Sequence, residues 1–348
     1  MEHLSSILAF VLFASITWIA GVWLMRTTDA IDTKYKLGSA FGGLLILGIA
    51  TSLPEIAISV SAALNHRYDI IIGTLIGGIA IQTAVISLFD ARMRTRSPLT
   101  FAAASLTLVL EATVVILVTV AAILAIRTPV IVPGTSISLV SVLIFLLWLG
   151  GLWLAYHARA GLPWRSEAIA AAPGREHHER RATINHPYLR KTSNFKIFMI
   201  FTLAAIATLI AGVGLQAAGS GIATNYGIGS GLFAATFIAL AAALPDISTG
   251  FSSISIGDYK LAMSDIFGGN AFMPALFLIC DILAGHSVLQ HATPTDVWFA
   301  ALGVLLTGIY ILGLIMRPRK QHFRMGIDSI SVVALYVIGV VVLSITGG

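Results

Sequence analysis

The sequence predicts an all-α integral membrane protein of ten transmembrane helices, arranged as two inverted five-helix repeats with helices two and seven broken. Three observations predict it. Of 348 residues, 57% are hydrophobic and only 11% charged, with a mean hydropathy of +0.92, whereas soluble domains are near 25% charged. So few charges cannot coat a water-facing surface, and lipid must cover much of it. Apolar runs of spanning length recur ten times, and one short motif occurs twice at a fixed offset of 191 residues.

With roughly 20 apolar residues needed per crossing, the first five spans fall at about 5–25, 38–64, 69–89, 99–126 and 132–156. The first run, Ser5 to Met25, is too long for the apolar stretch of a signal peptide. It follows Glu2 rather than Lys or Arg and lacks a small-residue cleavage site, so it reads as a span. Five more runs follow at 196–219, 229–255, 261–284, 293–316 and 327–346. The basic residues test this count. With the N-terminus outside, nineteen of 21 Lys and Arg fall in connections on the inner side, leaving Arg67 and Arg127 outside. That asymmetry sets both the number and the direction of crossings.

The same positions argue against nucleic acid as the partner of the +5 net charge. The basic residues sit between apolar runs rather than on one soluble face. The partner expected on these grounds is the lipid bilayer. The expected location is the plasma membrane, and no bound cofactor is expected. Domain boundaries follow: 1–156 as the first repeat, 157–195 as a cytoplasmic basic linker, and 196–348 as the second, inverted repeat. The linker mixes both charge signs with Pro163, Pro173, Gly174 and Pro187, as solvated linkers do. Its His177, His178 and His186 read as solvated rather than metal-binding. The single cysteine, Cys280, excludes an intrachain disulfide and reads as a small packing residue. Trp18, Trp23, Trp148, Trp153 and Trp298 lie toward span ends, as in an interfacial belt.

The repeat is read directly. Leu53-Pro54-Glu55 recurs as Leu244-Pro245-Asp246, Tyr68 as Tyr259, Gly77-Gly78 as Gly268-Gly269 and Asp90 as Asp281. Five spans separate the copies. An odd number places them in opposite directions across the bilayer, the arrangement that lets one half-site mirror the other.

The chemistry lies at mid-membrane. Glu55 and Asp246 sit near the centres of spans two and seven, where a carboxylate costs several kcal/mol unless paired, protonated or hydrated. Each follows a proline, which removes a backbone donor and frees carbonyls near Ala50–Ser52 and Ala241–Ala243 as oxygen ligands. Two facing carboxylates with nearby hydroxyls and carbonyls suit Ca²⁺ or a similar hard cation. When the ion leaves, protons or small cations must replace it, because like charges in a low-dielectric site cannot both stay bare. Exchange follows from that electrostatics more readily than a channel does.

Ala50-Thr51-Ser52-Leu53-Pro54-Glu55, followed by Gly73 and Gly77, resembles the first alpha-repeat of the sodium/calcium exchanger (cation/calcium antiporter) superfamily. The family form is Gly-Thr-Ser-Leu-Pro-Glu on one helix and Gly-Asn-x-x-Gly-Ser-Asn-x-x-Asn on the next. The second copy is Ala241-Ala242-Ala243-Leu244-Pro245-Asp246, then Ser264-Asp265-x-x-Gly268-Gly269-Asn270-x-x-Met273. The resemblance implies that Glu55 and Asp246 hold the divalent cation and that Thr51 and Ala242 contribute carbonyls. Ser52 and Gln82 would help hold the counter-ion. Asn270 matches the family asparagine, and Asp265 stands where the family has an amide. It implies antiport of Ca²⁺ or a similar divalent ion for Na⁺ or H⁺ by alternating access. Several family oxygens are missing. Ala242 and Ala243 replace hydroxyl residues, Gly78 and Gly269 replace serine, and Met273 stands in the final polar position. These losses weigh against classical Na⁺ coupling and toward a proton-coupled or otherwise altered exchange; the alternatives are a cation/proton antiporter with little Na⁺ coupling and a non-transporting ion sensor.

Other acids have separate readings. Glu111 in span four is a proton relay or a partner for a neighbouring span. Asp90 and Asp281, near opposite faces, are gating groups or interfacially solvated ones. No enzyme is expected. Tyr68-Asp69 and Ser255-Ile256-Gly257-Asp258 only superficially resemble the motifs of an intramembrane aspartyl protease, because they lie at span ends on opposite faces. No His-Glu-x-x-His is present.

Overall fold

The computed structural model describes residues 2–35, 48–93, 95, 97–127, 130–133, 135, 137–161 and 193–346. Most of the expected linker, with its three histidines, and the first part of expected span two lie outside these residues. The helices are α1 (Glu2–Tyr35), α2 (Leu53–Leu64), α3 (Tyr68–Arg92), α4 (Leu106–Arg127), α5 (Leu139–Gly161) and α6 (Asn194–Tyr226). They continue with α7 (Ser230–Ala242 and Leu244–Ile256), α8 (Tyr259–Ala284), α9 (Pro294–Met316) and α10 (Ile327–Thr346). Eight are long and apolar enough to cross a membrane, and α7 makes a ninth if its two arms count as one span. The apolar α2 is shorter, with residues 36–47 before it outside the description. The chain is a multi-pass, nearly all-helical membrane protein. The structure extends α1 about ten residues past the expected end of span one, through Arg26 and Thr27.

Burial orders the helices. The apolar window of α3 is 89% buried, against 22% for α1 and α5, so α3 forms the centre and α1 and α5 face lipid. Trp18, Trp23 and Trp153 are exposed as a belt requires, but Trp148 packs between Phe145 and Phe272 and is a core residue. Cys280 is buried.

Bonds between connecting segments sort the helix ends into two sets. In one, Arg67 bonds the hydroxyls of Ser220 and Ser230, Tyr68 bonds His286 (2.9 Å), and Asp281 accepts from the Ser141 hydroxyl (2.7 Å). In the other, Asp90 accepts from the amides of Leu99 (2.8 Å) and Gly326 (2.7 Å), and Arg317 reaches the Phe101 carbonyl. Asp90 and Asp281 thus lie in opposite sets, although they are equivalent in the repeat. Both are fully buried, which corrects the expectation of interfacial solvation: amide donors take the place of water. Each clamps the other half. Asp90 holds the approach to α10, and Asp281, which also accepts from Val288 N (2.7 Å), holds the approach to α5.

The repeat also shows in the backbone. Ser52 (φ −84°, ψ 6°) and Ala243 (φ −74°, ψ 0°) are equivalent positions just before each Leu-Pro. Ser52 N donates to Gly48 O at 3.1 Å and Ile56 N to Ser52 O at 3.0 Å. Ala243 N to Ala239 O and Ile247 N to Ala243 O repeat the pattern at 3.0 Å each. At Ala243 the two arms of α7 bend by 46°, two residues before Pro245, which lacks the helical donor.

Candidate functional site

The two proline turns converge on a buried polar cluster. Glu55, in the first turn of α2, is 1% exposed, and Asp246, in the first turn of the second arm of α7, is 4% exposed. Gln82 on α3 donates from Nε2 to Glu55 Oε1 at 3.2 Å. Asp246 lies close enough to Glu55 and to Asp265 on α8 for their charges to act on one another, with the Thr51 hydroxyl in bonding reach. Thr51 Oγ1 also lies 3.2 Å from Gly48 O. Its one hydrogen serves one acceptor at a time, so filling or emptying the site can redirect it. Pro54 and Pro245 lack the amides that unbroken helices would aim at the carbonyls of Ala50 and Ala241.

Among the described residues, four oxygens here are buried without a hydrogen-bond partner: Glu55 Oε2, Gln82 Oε1, Asp265 Oδ2 and Asn270 Oδ1. Unsatisfied buried acceptors are costly, and a cation bound among them would satisfy several together. No three His, Cys, Asp or Glu side chains among the described residues are grouped to hold a metal ion by themselves. A cation held here would need amide and main-chain oxygens beside the carboxylates, as hard-cation sites use them.

The other expected residues divide. Asn270 turns its amide nitrogen to Thr83 Oγ1 (3.0 Å) and Ile79 O (3.5 Å), tying α8 to α3. Ser52 and Ala242 are buried beside the turns. Glu111 is buried in α4, which packs against α8 and α9. The apparent protease motifs stay apart: Asp69 pairs with Arg67 (3.5 Å), while Asp258 caps α8 through Leu261 N (3.0 Å).

Two close approaches escaped the sequence reading. A Cβ on Gly21 of α1 would sit 2.5 Å from Pro245 Cβ, and one on Gly212 of α6 would sit 2.6 Å from Ala57 Cβ and 2.9 Å from Pro54 O. Gly21 and Gly212 obey the same 191-residue offset. Each half therefore presses a glycine of its first helix onto the proline turn of the other. The offset itself would have found them. Gly78 and Gly269 behave alike, facing Met273 and Gln82 respectively, which are also equivalent positions.

The molecule is a polytopic helical membrane protein with a buried, carboxylate-centred polar cluster beside two Leu-Pro turns. The sequence matches the sodium/calcium exchanger protein family over residues 5–157 and 195–345, and the chain belongs to that family. It is 25% identical over 296 residues to inner membrane protein YrbG of Escherichia coli (strain K12), covering 79% of this chain and 85% of the relative. Its fold is similar to that of the sodium-calcium exchanger NCX_Mj soaked with 2.5 mM Na⁺ and 0.1 mM Sr²⁺ (TM-score 0.60, 19% identity, 97% of this chain and 99% of that one). It also resembles the H⁺/Ca²⁺ exchanger CAX (TM-score 0.64, 10% identity, 97% and 86%) and native YfkE (TM-score 0.63, 14% identity, 95% and 90%). At these identities the structural likeness concerns the fold.

Proposed function

We propose that this chain is a secondary active antiporter that exchanges Ca²⁺ or a similar divalent cation for Na⁺ or H⁺ at a site between the two proline turns. One observation carries the reading: Glu55 and Asp246, at equivalent repeat positions, are buried together beside carboxylate and amide oxygens that lack partners. Glu55 and Asp246 bind the divalent ion. Thr51 and Ala242 offer carbonyls, and Gln82, Ser52, Asn270 and Asp265 complete the surroundings. The names of the relatives, sodium-calcium and H⁺/Ca²⁺ exchangers, support this cargo class. Ten spans form two inverted repeats, 1–156 and 196–348, joined by the 157–195 segment on the cytoplasmic side of the cell membrane. The concentration of Lys and Arg on one side supports that orientation.

Between the two counter-ions, proton coupling is the better reading. Ala242, Ala243, Gly78, Gly269 and Met273 give no side-chain oxygen where Na⁺ would need several to replace its hydration shell. In calorimetric titration of the purified protein, Ca²⁺ binding should be lost in Glu55→Gln and in Asp246→Asn while both variants remain folded. Binding retained in either variant would refute the paired-carboxylate site.

A further inference from the structure

Between α9 and α10 the chain forms a small hairpin that ion exchange does not use. His322 and Met325 exchange both backbone hydrogen bonds, His322 N to Met325 O at 2.8 Å and Met325 N to His322 O at 2.9 Å. The two residues at the tip, Phe323 (φ 51°) and Arg324 (φ 67°), both adopt the left-handed conformation. Two-residue turns of this kind are normally built from Asn-Gly or Asp-Gly, because a side chain at positive φ is strained and a bulky one most of all. Here a phenylalanine takes the strained position and gains no packing, since its side chain is 91% exposed.

The base of the hairpin is rigid. Gly326 N donates to Asp90 at 2.7 Å, and the Arg317 guanidinium lies 4.9 Å over the Phe101 ring. Arg319, Lys320, His322 and Arg324 are exposed around the tip, and none of them forms an ion pair among the described residues. An aromatic side chain held out on a strained turn, ringed by cations, stands where two apolar helices end. That is the level of the lipid headgroups.

We propose that the 317–325 hairpin is an interfacial anchor: Phe323 enters the boundary between headgroups and acyl chains, and Arg319, Lys320 and Arg324 bind the phosphates of anionic lipid. Basic juxtamembrane groups are attracted to anionic leaflets, and aromatic rings favour the interface. The strain at Phe323 is then maintained because it orients the ring toward the bilayer, while Asp90 keeps the hairpin from folding away. The anchor would fix the entry of α10 relative to the bilayer surface.

The test places an environment-sensitive fluorophore at Phe323→Cys in the full chain, with buried Cys280 replaced by alanine. The protein is reconstituted in nanodiscs of phosphatidylcholine alone or mixed with phosphatidylglycerol. Quenching by neutral acrylamide should fall about threefold in the anionic discs, and Arg319→Gln/Lys320→Gln/Arg324→Gln should abolish that protection. Equal quenching in both discs would overturn the anchor. Protection in anionic discs that survives the triple substitution would overturn the assignment of Arg319, Lys320 and Arg324 as the lipid-binding groups. Protection by soluble glycerol phosphate in detergent would assign the cations to a free phosphate instead. The inference rests on α9 and α10 crossing the bilayer. A second probe at lipid-facing Leu305→Cys, quenched by lipids brominated in mid-chain, tests that premise separately.

Discussion

The reciprocal glycine contacts give a quantitative test of the two-fold design. In Gly212→Ala the new methyl would lie 2.6 Å from Ala57 Cβ and 2.9 Å from Pro54 O, about 0.8 Å short of ordinary contact with the former. The Pro54 carbonyl is main chain in a turn, so relief must come from moving α6. Gly21→Ala meets Pro245 Cβ at 2.5 Å and its Cα at 3.1 Å, and α1 must retreat in the same way. Overpacking of this kind costs about 1–3 kcal/mol, while replacing glycine inside a helix returns at most about 1 kcal/mol. The net effect is destabilising at both sites. Gly308→Ala, where a methyl would meet nothing within 4 Å, supplies the control and should be neutral or mildly stabilising. The assay is thermal unfolding of purified protein, read beside ion flux in proteoliposomes. Gly21→Ala and Gly212→Ala should each melt several degrees below Gly308→Ala, by about 2–4 °C per kcal/mol. If either melts at or above the control, the packing argument fails.

Three further outcomes follow from local geometry. Asp90→Asn and Asp281→Asn each replace a carboxylate oxygen that accepts from a buried donor with an amide that donates, so each should cost about 1–3 kcal/mol in unfolding measurements; unchanged melting would mean that the two clamps hold nothing. Tyr68→Phe removes the hydroxyl that lies 2.8 Å from His66 Nδ1 and 2.9 Å from His286 Nε2; hydrogen exchange should rise in the 285–293 connection, and unaltered exchange would deny that bridge a structural role. Gly269→Ser places its Cβ 3.7 Å from Gln82 Oε1 without a clash, so, together with Ala243→Ser, it should raise the Na⁺ dependence of flux. No change would mean that the missing hydroxyls do not set the coupling ion.

Much of the architecture was legible because membrane insertion leaves coarse signals. The length of the apolar runs is a one-dimensional feature imposed by a thick apolar solvent, and the 191-residue offset between Pro54 and Pro245 is a second, read from the chain itself. Glu55 and Asp246 stood out for the same reason: a carboxylate in such a run requires an explanation. The depth of Trp148 and of the Asp90 and Asp281 clamps did not follow, because proximity to a span end does not reveal which neighbouring segment closes over a side chain. Asp90 finds its second amide at Gly326, more than two hundred residues away, and no local pattern encodes that distance. Gly21 and Gly212 were hidden differently. Glycine is common in this chain, and only their equivalence in the repeat separates these two from the rest.

If two opposed carboxylates drive exchange, gradient-driven Ca²⁺ flux in proteoliposomes must depend on both. Wild-type protein should move Ca²⁺ against an imposed pH gradient, more strongly than against a Na⁺ gradient, and Glu55→Gln and Asp246→Asn should each abolish the flux. Undiminished flux in either variant would contradict the account, as would the absence of wild-type flux under both gradients.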